Sequence, residues 1–334
     1  MIWALVGAST IAAQYVIGAI RAQEGCDVTR VVSGSATRCR EYAREHGIAA
    51  SGTDLDAALA DPAIDAVYIS STNEKHFPQA MAAIAAGKHV LCEKPLAMTL
   101  DDACNMVSVA EKAGVTFATN HHLRCSGSHR TMRDLVSSGR IGRVLSMRIF
   151  HAVHLPAHLQ GWRINDASAG GGVIPDITVH DADVARFILG EDPQTVVAQM
   201  TASGMGEGVE DSAMSVWTMP SGAMVMSHQS FTHPFAGSGL EVHGTEGSIF
   251  ARGVMTQEPA GEIALVTAAG REDVSFPDHG LYVQGLSDFV RACRGEGSPA
   301  ATGWDGVKSL AVALAVREAA RTGTSRTVNY GAAA

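Results

Sequence analysis

Ile2-Trp3-Ala4-Leu5-Val6-Gly7-Ala8-Ser9-Thr10-Ile11-Ala12 is the stretch that decides the fold. Five apolar residues of strand character stop at a glycine, and helical periodicity takes over from residues 11 to 22. The turn fits the pattern G-x-G-x-x-G/A except that Ser9 replaces the second glycine, which normally lets backbone approach a pyrophosphate. A serine hydroxyl and its amide can still bond a phosphate oxygen at a helix N-terminus. Gly7, Ser9, Thr10, Ile11 and Ala12 are therefore candidate dinucleotide contacts. Residues 2–20 carry no charge, but no basic residue precedes them, as a signal peptide requires. Two glycines, a glutamine and the Ser-Thr pair break the run into strand, turn and helix rather than a membrane span.

Working outward, strand signals at residues 28–32, 66–70, 90–92 and 115–119 alternate with helix signals at 38–46, 77–86 and 100–113. Gly87 and Gly114 stand where helix C-caps are expected. Short apolar strands separated by helices predict a parallel sheet covered on both faces. After about residue 122 the pattern changes to long β-rich runs at 143–155, 195–202, 212–219, 223–232, 240–244, 248–252 and 262–267. Short Gly- or Pro-containing turns join them, which argues for a largely antiparallel sheet. Helices are expected at 127–137, around 180–189, at 285–294 and at 304–321. The fold class is thus α/β, an N-terminal dinucleotide-binding domain with a parallel sheet (1–122) followed by an α+β domain with a largely antiparallel sheet (123–334).

The second strand ends Val31-Val32-Ser33-Gly34-Ser35-Ala36-Thr37-Arg38. An enzyme using NAD usually has an acid there to bond the ribose 2′-hydroxyl; a carboxylate would repel a 2′-phosphate, whereas serine with arginine would bind one. Ser33, Gly34 and Arg38 therefore predict NADP(H). Further along, Glu93-Lys94-Pro95 ends the strand at 90–92. Pro95 keeps Lys94 out of helical backbone angles, at a strand end where ligands bind in open α/β sheets.

These features, with Gly170-Gly171-Gly172-Val173-Ile174-Pro175-Asp176-Ile177-Thr178-Val179-His180, resemble the glucose–fructose oxidoreductase / inositol 2-dehydrogenase family of sugar oxidoreductases. The resemblance covers nearly the whole chain and implies an N-terminal Rossmann domain and a C-terminal α+β domain with a largely antiparallel open sheet. It implies that Lys94, Asp176 and His180 are catalytic. It also implies cofactor contacts at Ser71, Thr72, Asn73, His76, Glu93, Lys94, Asn120, Trp162, Arg163 and Tyr282. The activity it implies is NADPH-dependent reduction of a keto or anhydro-keto sugar, 1,5-anhydro-D-fructose to 1,5-anhydro-D-mannitol leading; the alternative is oxidation of inositol or another cyclic polyol. Reducing a ketone needs a cation or donor near the carbonyl oxygen, which Lys94 can supply, and a proton donor, which His180 can be. Asp176, four residues before His180, shares its face on a regular helix.

Lys and Arg number 25 against 34 Asp and Glu, a net charge of −9 with no basic run. Nucleic acid is thereby an unfavourable partner, and a small-molecule sugar is the expected one, with oligomeric state open and no membrane association. Six cysteines without C-x-x-C spacing suit a reducing cytoplasm. His151, His154, His158 and His180 raise the question of zinc. Pro156 interrupts the i, i+4 pair His154/His158, and His121 and His122 are chain neighbours that point apart on a strand, so no metal is expected. Met214, Met219, Met224 and Met226 read as sheet packing. Neither face of residues 223–231 looks apolar enough to demand a partner.

Overall fold

The computed structural model describes residues 1–333, which form two compact units. The first comprises Met1–His121, Tyr282–Val307 and Gly331–Ala333; the second comprises His122–Leu281 and Lys308–Tyr330. Residues 282–307, which a single cut after residue 122 would assign to the second domain, thus pack with the first. Trp3, fully buried on the first strand, meets Phe289 with ring centroids 5.3 Å apart. The Trp304 indole donates to Glu111 at 2.7 Å, and Gln23 donates to the Val283 carbonyl. The apolar demand of Trp3 is met from far along the chain, which no local pattern announces.

In the first unit β1 (Ile2–Val6) leads into α1, a π-turn over Ala12–Val16 continuing as α-helix through Ile17–Arg21. Then follow β2 (Asp27–Val32), α2 (Ala36–Glu45), β3 (Ala50–Gly52), α3 (Leu55–Leu59), β4 (Ala66–Ile69), α4 (Asn73–Ala85), β5 (His89–Cys92), α5 (Leu100–Ala113) and β6 (Phe117–Thr119). The strands order as β3-β2-β1-β4-β5-β6, and every pairing is parallel. Chain order reverses between β1 and β4, the switch point at which such sheets bind ligands. The core strands are buried along their length because helices cover both faces. Caps fix the helix ends. The Thr99 hydroxyl accepts from the Asp102 amide to start α5, and Gly114 at φ 68° ends it.

The second unit contains α6 (Gly127–Ser137), β7 (Val144–Ala152), a single turn α7 (Trp162–Asn165) and α8, a π-turn over Ile174–Thr178 continuing as α-helix through Val179–Leu189. Strands β8 (Thr195–Thr201), β9 (Ser212–Thr218), β10 (Met224–Ser230), β11 (Ser238–Gly244), β12 (Gly247–Arg252), β13 (Glu262–Thr267) and β14 (Gly270–Asp273) follow, with β15 (Arg326–Thr327) near the end of the chain. They form one nine-stranded sheet, β14-β13-β12-β11-β7-β10-β9-β8-β15, antiparallel throughout except where β7 and β10 run parallel. One face turns Ala213, Trp217, Val225 and Ile149 into the core. The other leaves Val197, Met214, Val216, Met224 and Met226 between 38% and 57% exposed. Of the four methionines expected to pack, only Met219 does so, at 1%. The alternation separates the faces correctly but does not say which of them is covered, and the uncovered face is the one that carries the other three methionines.

Candidate active site

In the first unit the loops at the switch point are locked together. Gly7 has φ 114°, and a Cβ there would lie 2.8 to 2.9 Å from the backbone of Ser70 and Ser71, so only glycine fits where β1 and β4 end side by side. The Ser9 and Ser70 hydroxyls meet at 2.7 Å, and the Ser9 hydroxyl also accepts from the Ala12 amide. The serine that departs from the glycine pattern therefore caps α1. Arg38 reaches back from α2 to donate to the Ala8 carbonyl at 2.6 Å, and the Tyr42 hydroxyl donates to the Ser9 carbonyl at 2.9 Å. Arg38, expected from the sequence to meet a 2′-phosphate, is thereby brought to the Gly7–Ala12 loop. Ser33 and Gly34 follow β2, where Ser35 accepts from the Arg38 amide as the N-cap of α2. A glycine-tight turn, a capped helix start and an arginine beside it fit a dinucleotide phosphate.

The other predicted residues of this unit divide into two kinds. The Ser71 hydroxyl donates to Gln79 in the second turn of α4 and the Thr72 hydroxyl to Glu74 in the first, and Asn73 is the first residue of that helix. His76 has no exposed surface; its Nδ1 lies 2.8 Å from the Pro95 carbonyl oxygen and its Nε2 3.2 Å from that of Ser71. Burial holds its pKa below the usual histidine range. Glu93, Lys94 and Asn120 come together where β5 and β6 end. Glu93 Oε1 accepts from the Tyr68 hydroxyl at 2.5 Å and from Asn120 Nδ2 at 2.6 Å. Lys94 follows directly, in a bend closed by a cis Lys94–Pro95 bond. Tyr282 stacks on Tyr15, with centroids 4.8 Å apart at 15°.

In the second unit His180 stands in the first turn of the α-helical part of α8. The His122 ring meets it edge-on, with centroids 5.1 Å apart at 77°. Its helix is fixed by two buried carboxylates. Asp181, with no exposed surface, accepts from Ser227 at 3.1 Å and Gln229 at 2.7 Å and lies 3.3 Å from His151 Nδ1. Asp183, 1% exposed, takes both Nε (2.8 and 2.9 Å) and Nη2 (2.7 Å) of Arg124. One carboxylate ties α8 to β10 and the other ties it to the segment holding His122, so the azimuth of His180 follows from its neighbours in sequence.

The glycine run seats the start of this helix. Gly172 has φ 114°, and a Cβ there would meet the Glu210 carboxylate at 2.4 to 2.8 Å. Glu210 Oε1 accepts from the Ile174 amide at 3.1 Å, a carboxylate at a helix N-terminus. Asp176 pairs with Arg163 at 3.6 Å, and the Arg163 guanidinium lies over the Trp162 ring at 4.7 Å. Of Trp162 and Arg163, predicted as cofactor or cleft contacts, Arg163 thus stands beside Asp176 and Trp162 lies under its guanidinium.

Sequence reasoning missed Tyr68, His122, Asp181, Asp183, Arg124 and Glu210. Tyr68 carried a signal, a hydroxyl inside the fully buried strand Ala66–Ile69 that must find a partner. The Arg124–Asp183 and Asp181 contacts join residues dozens of positions apart, and nothing local marks them.

Two family models match this chain. Residues 1–121 match an oxidoreductase family with an NAD-binding Rossmann fold, and residues 129–250 match the GFO/IDH/MocA C-terminal domain. The chain belongs to the GFO/IDH/MocA oxidoreductases. Its nicotinamide dinucleotide cofactor, its two-part fold and its enzymatic class follow from that membership. A 1,5-anhydro-D-fructose reductase of Ensifer adhaerens is 53% identical over 98% of this chain and 99% of its own length. A D-xylose 1-dehydrogenase (NADP(+)) of Haloferax volcanii is 29% identical over 97% of this chain and 99% of its own. Among solved structures, an aldose-aldose oxidoreductase from Caulobacter crescentus complexed with glycerol superposes with a TM-score of 0.90 at 25% identity, covering 98% of this chain and 99% of that one. No helix among the described residues is long and apolar enough to cross a membrane.

Proposed function

We propose that this oxidoreductase is an NADPH-dependent reductase of an anhydro-keto sugar, converting 1,5-anhydro-D-fructose to 1,5-anhydro-D-mannitol. The observation that carries the reading is the 53% identity, end to end, with the reductase from Ensifer adhaerens. The choice of NADPH rests on the residues themselves. Ser33 replaces the acid that would repel a 2′-phosphate, and Arg38 lies against the Gly7–Ala12 loop through its bond to Ala8.

Gly7, Ser9, Thr10, Ile11 and Ala12 would hold the pyrophosphate, Ser33, Gly34 and Arg38 the 2′-phosphate, and Ser71, Thr72, Asn73 and Asn120 the nicotinamide end. When bound, the cofactor supplies a hydride to the carbonyl carbon. Lys94 places positive charge at the carbonyl oxygen and stabilises the alkoxide that develops there. His180 donates the proton that completes the alcohol. Asp176, with Arg163 beside it, orients the sugar through a hydroxyl.

The test is steady-state kinetics on 1,5-anhydro-D-fructose with NADPH and NADH, for the wild type and for Arg38→Ala, Lys94→Ala and His180→Ala. Arg38→Ala is expected to weaken NADPH by roughly ten- to a hundredfold, the value of a charge-assisted contact, and NADH far less, since for NADH only the bond to the Ala8 carbonyl is lost. Unaltered NADPH affinity overturns the cofactor assignment. Full turnover by Lys94→Ala or His180→Ala overturns the division of labour.

A further inference from the structure

Two wholly buried polar side chains flank Lys94 without belonging to its loop. Tyr68, on β4, and His76, on α4, have no exposed surface, so each acts through the residues it touches; for His76 this differs from the cofactor contact that the resemblance implied. Each reaches across to β5's end. The Tyr68 hydroxyl donates to Glu93, the residue before Lys94, and the His76 ring lies 2.8 Å from the carbonyl oxygen of Pro95, the residue after it. Backbone bonds complete the clamp, with the Glu93 amide donating to Ile69 and the Asn120 amide to Cys92. Tyr68 loses a great deal by being here. Burial first, then the charge of Glu93, push its phenol far above the ordinary tyrosine range, so it remains a neutral donor at any working pH. A phenylalanine would fill the same space in an aliphatic strand with no polar group to satisfy.

We infer that Tyr68 and His76 are positioning residues for Lys94, one holding the Glu93 side and the other the Pro95 side of the turn that presents it. This rests on the reading of Lys94 as the cation at the carbonyl oxygen. Asn120 shares the Glu93 contact, so loss of the tyrosine hydroxyl leaves the carboxylate with one donor of two and the turn free to shift. Displacements of about 1 Å at a reacting group cost up to roughly a hundredfold in rate.

The experiment is a double-mutant cycle. Tyr68→Phe is made in the wild type and in Lys94→Ala, and kcat, KM and NADPH dissociation constants are measured on the folded holoenzyme, with His76→Leu and His76→Asn as a second series. Tyr68→Phe is expected to lower kcat roughly ten- to a hundredfold with NADPH binding unchanged, and to have no further effect on the residual rate of Lys94→Ala. His76→Asn, which keeps a donor near the Nδ1 position, is expected to recover most of the rate lost in His76→Leu. An equal loss from Tyr68→Phe in both backgrounds would show a general structural role and overturn the inference, as would wild-type kcat in Tyr68→Phe. Full activity of Lys94→Ala would instead strike the functional reading, leaving the clamp with nothing to position.

Discussion

Replacing Gly7 with alanine tests the geometry of the switch point on a single atom. The added Cβ would lie 2.8 Å from the Ser70 carbonyl carbon and 2.9 Å from both the Ser70 oxygen and the Ser71 nitrogen. These are backbone atoms, so no side chain can swing away. The backbone must shift instead, or the substituted residue must leave φ 114°, a region alanine avoids. Strain of this kind costs on the order of 1–3 kcal/mol. A loop that relaxes in the free enzyme must be forced back to receive the pyrophosphate, so the same energy appears as a roughly five- to 150-fold weaker dinucleotide, at about 1.4 kcal/mol per factor of ten. Cofactor titration by fluorescence or calorimetry reads this directly, and thermal denaturation reads the part that falls on the free protein. Gly18→Ala is the control. It lies on α1, the helix into which the Gly7 turn leads, with nothing within 4 Å of its Cβ, and should gain roughly 0.5–1 kcal/mol from helix propensity. Wild-type affinity and Tm in Gly7→Ala would refute the reasoning. So would equal losses in Gly7→Ala and Gly18→Ala.

Three further outcomes are expected. His129 is wholly buried, and burial holds its pKa down to about 3; the unfolded chain takes up the proton first, so stability is lost as pH falls from about 6.5 towards 3, at roughly 1.4 kcal/mol per unit. Unfolding free energies measured between pH 7 and 5 should fall at least this steeply, since buried His76 adds to the effect, and His129→Gln should lessen the slope by the His129 share, about 1.4 kcal/mol per unit; an unaltered slope would contradict it. Asp211 accepts from the amides of Ser203, Gly204, Met205 and Gly206, so Asp211→Ala should destabilise by about 1–3 kcal/mol; an unchanged Tm would contradict it. Glu210→Ala removes the acceptor at the start of α8 and should cost about 1 kcal/mol, together with a loss of kcat larger than any loss of NADPH affinity.

Much of the first unit was legible because its signals are local. Ile2–Val6 ends at a glycine that no other residue could replace, and Leu100–Ala113 announces itself by Thr99 at one end and Gly114 at the other. The place of Lys94 just past a strand end was legible for the same reason, since Pro95 and the end of an apolar strand are its chain neighbours. What supports Lys94 was not. Tyr68 and His76 reach it across a strand boundary that only folding creates. The π-turns at Ala12–Val16 and Ile174–Thr178 use residues that suit an α-helix equally well, so no propensity separates the two. Met214, Met224 and Met226 alternate as strand residues should, and their exposure is decided by which face of the sheet the helices cover. Residues 282–307 join the first unit through Trp3 and Glu111, contacts between residues far apart in sequence.

The central claim, hydride transfer from a nicotinamide to a ketone carbon of an anhydro-keto sugar, has a direct test. The wild-type enzyme is given 1,5-anhydro-D-fructose with NADPH deuterated at C4 of the nicotinamide, the 4R and 4S forms in separate reactions, and the product is examined by mass spectrometry and NMR. The account predicts 1,5-anhydro-D-mannitol bearing one deuterium on the former carbonyl carbon from one of the two forms and none from the other. Consumption of neither form, or a product without deuterium at that carbon from both, would contradict it.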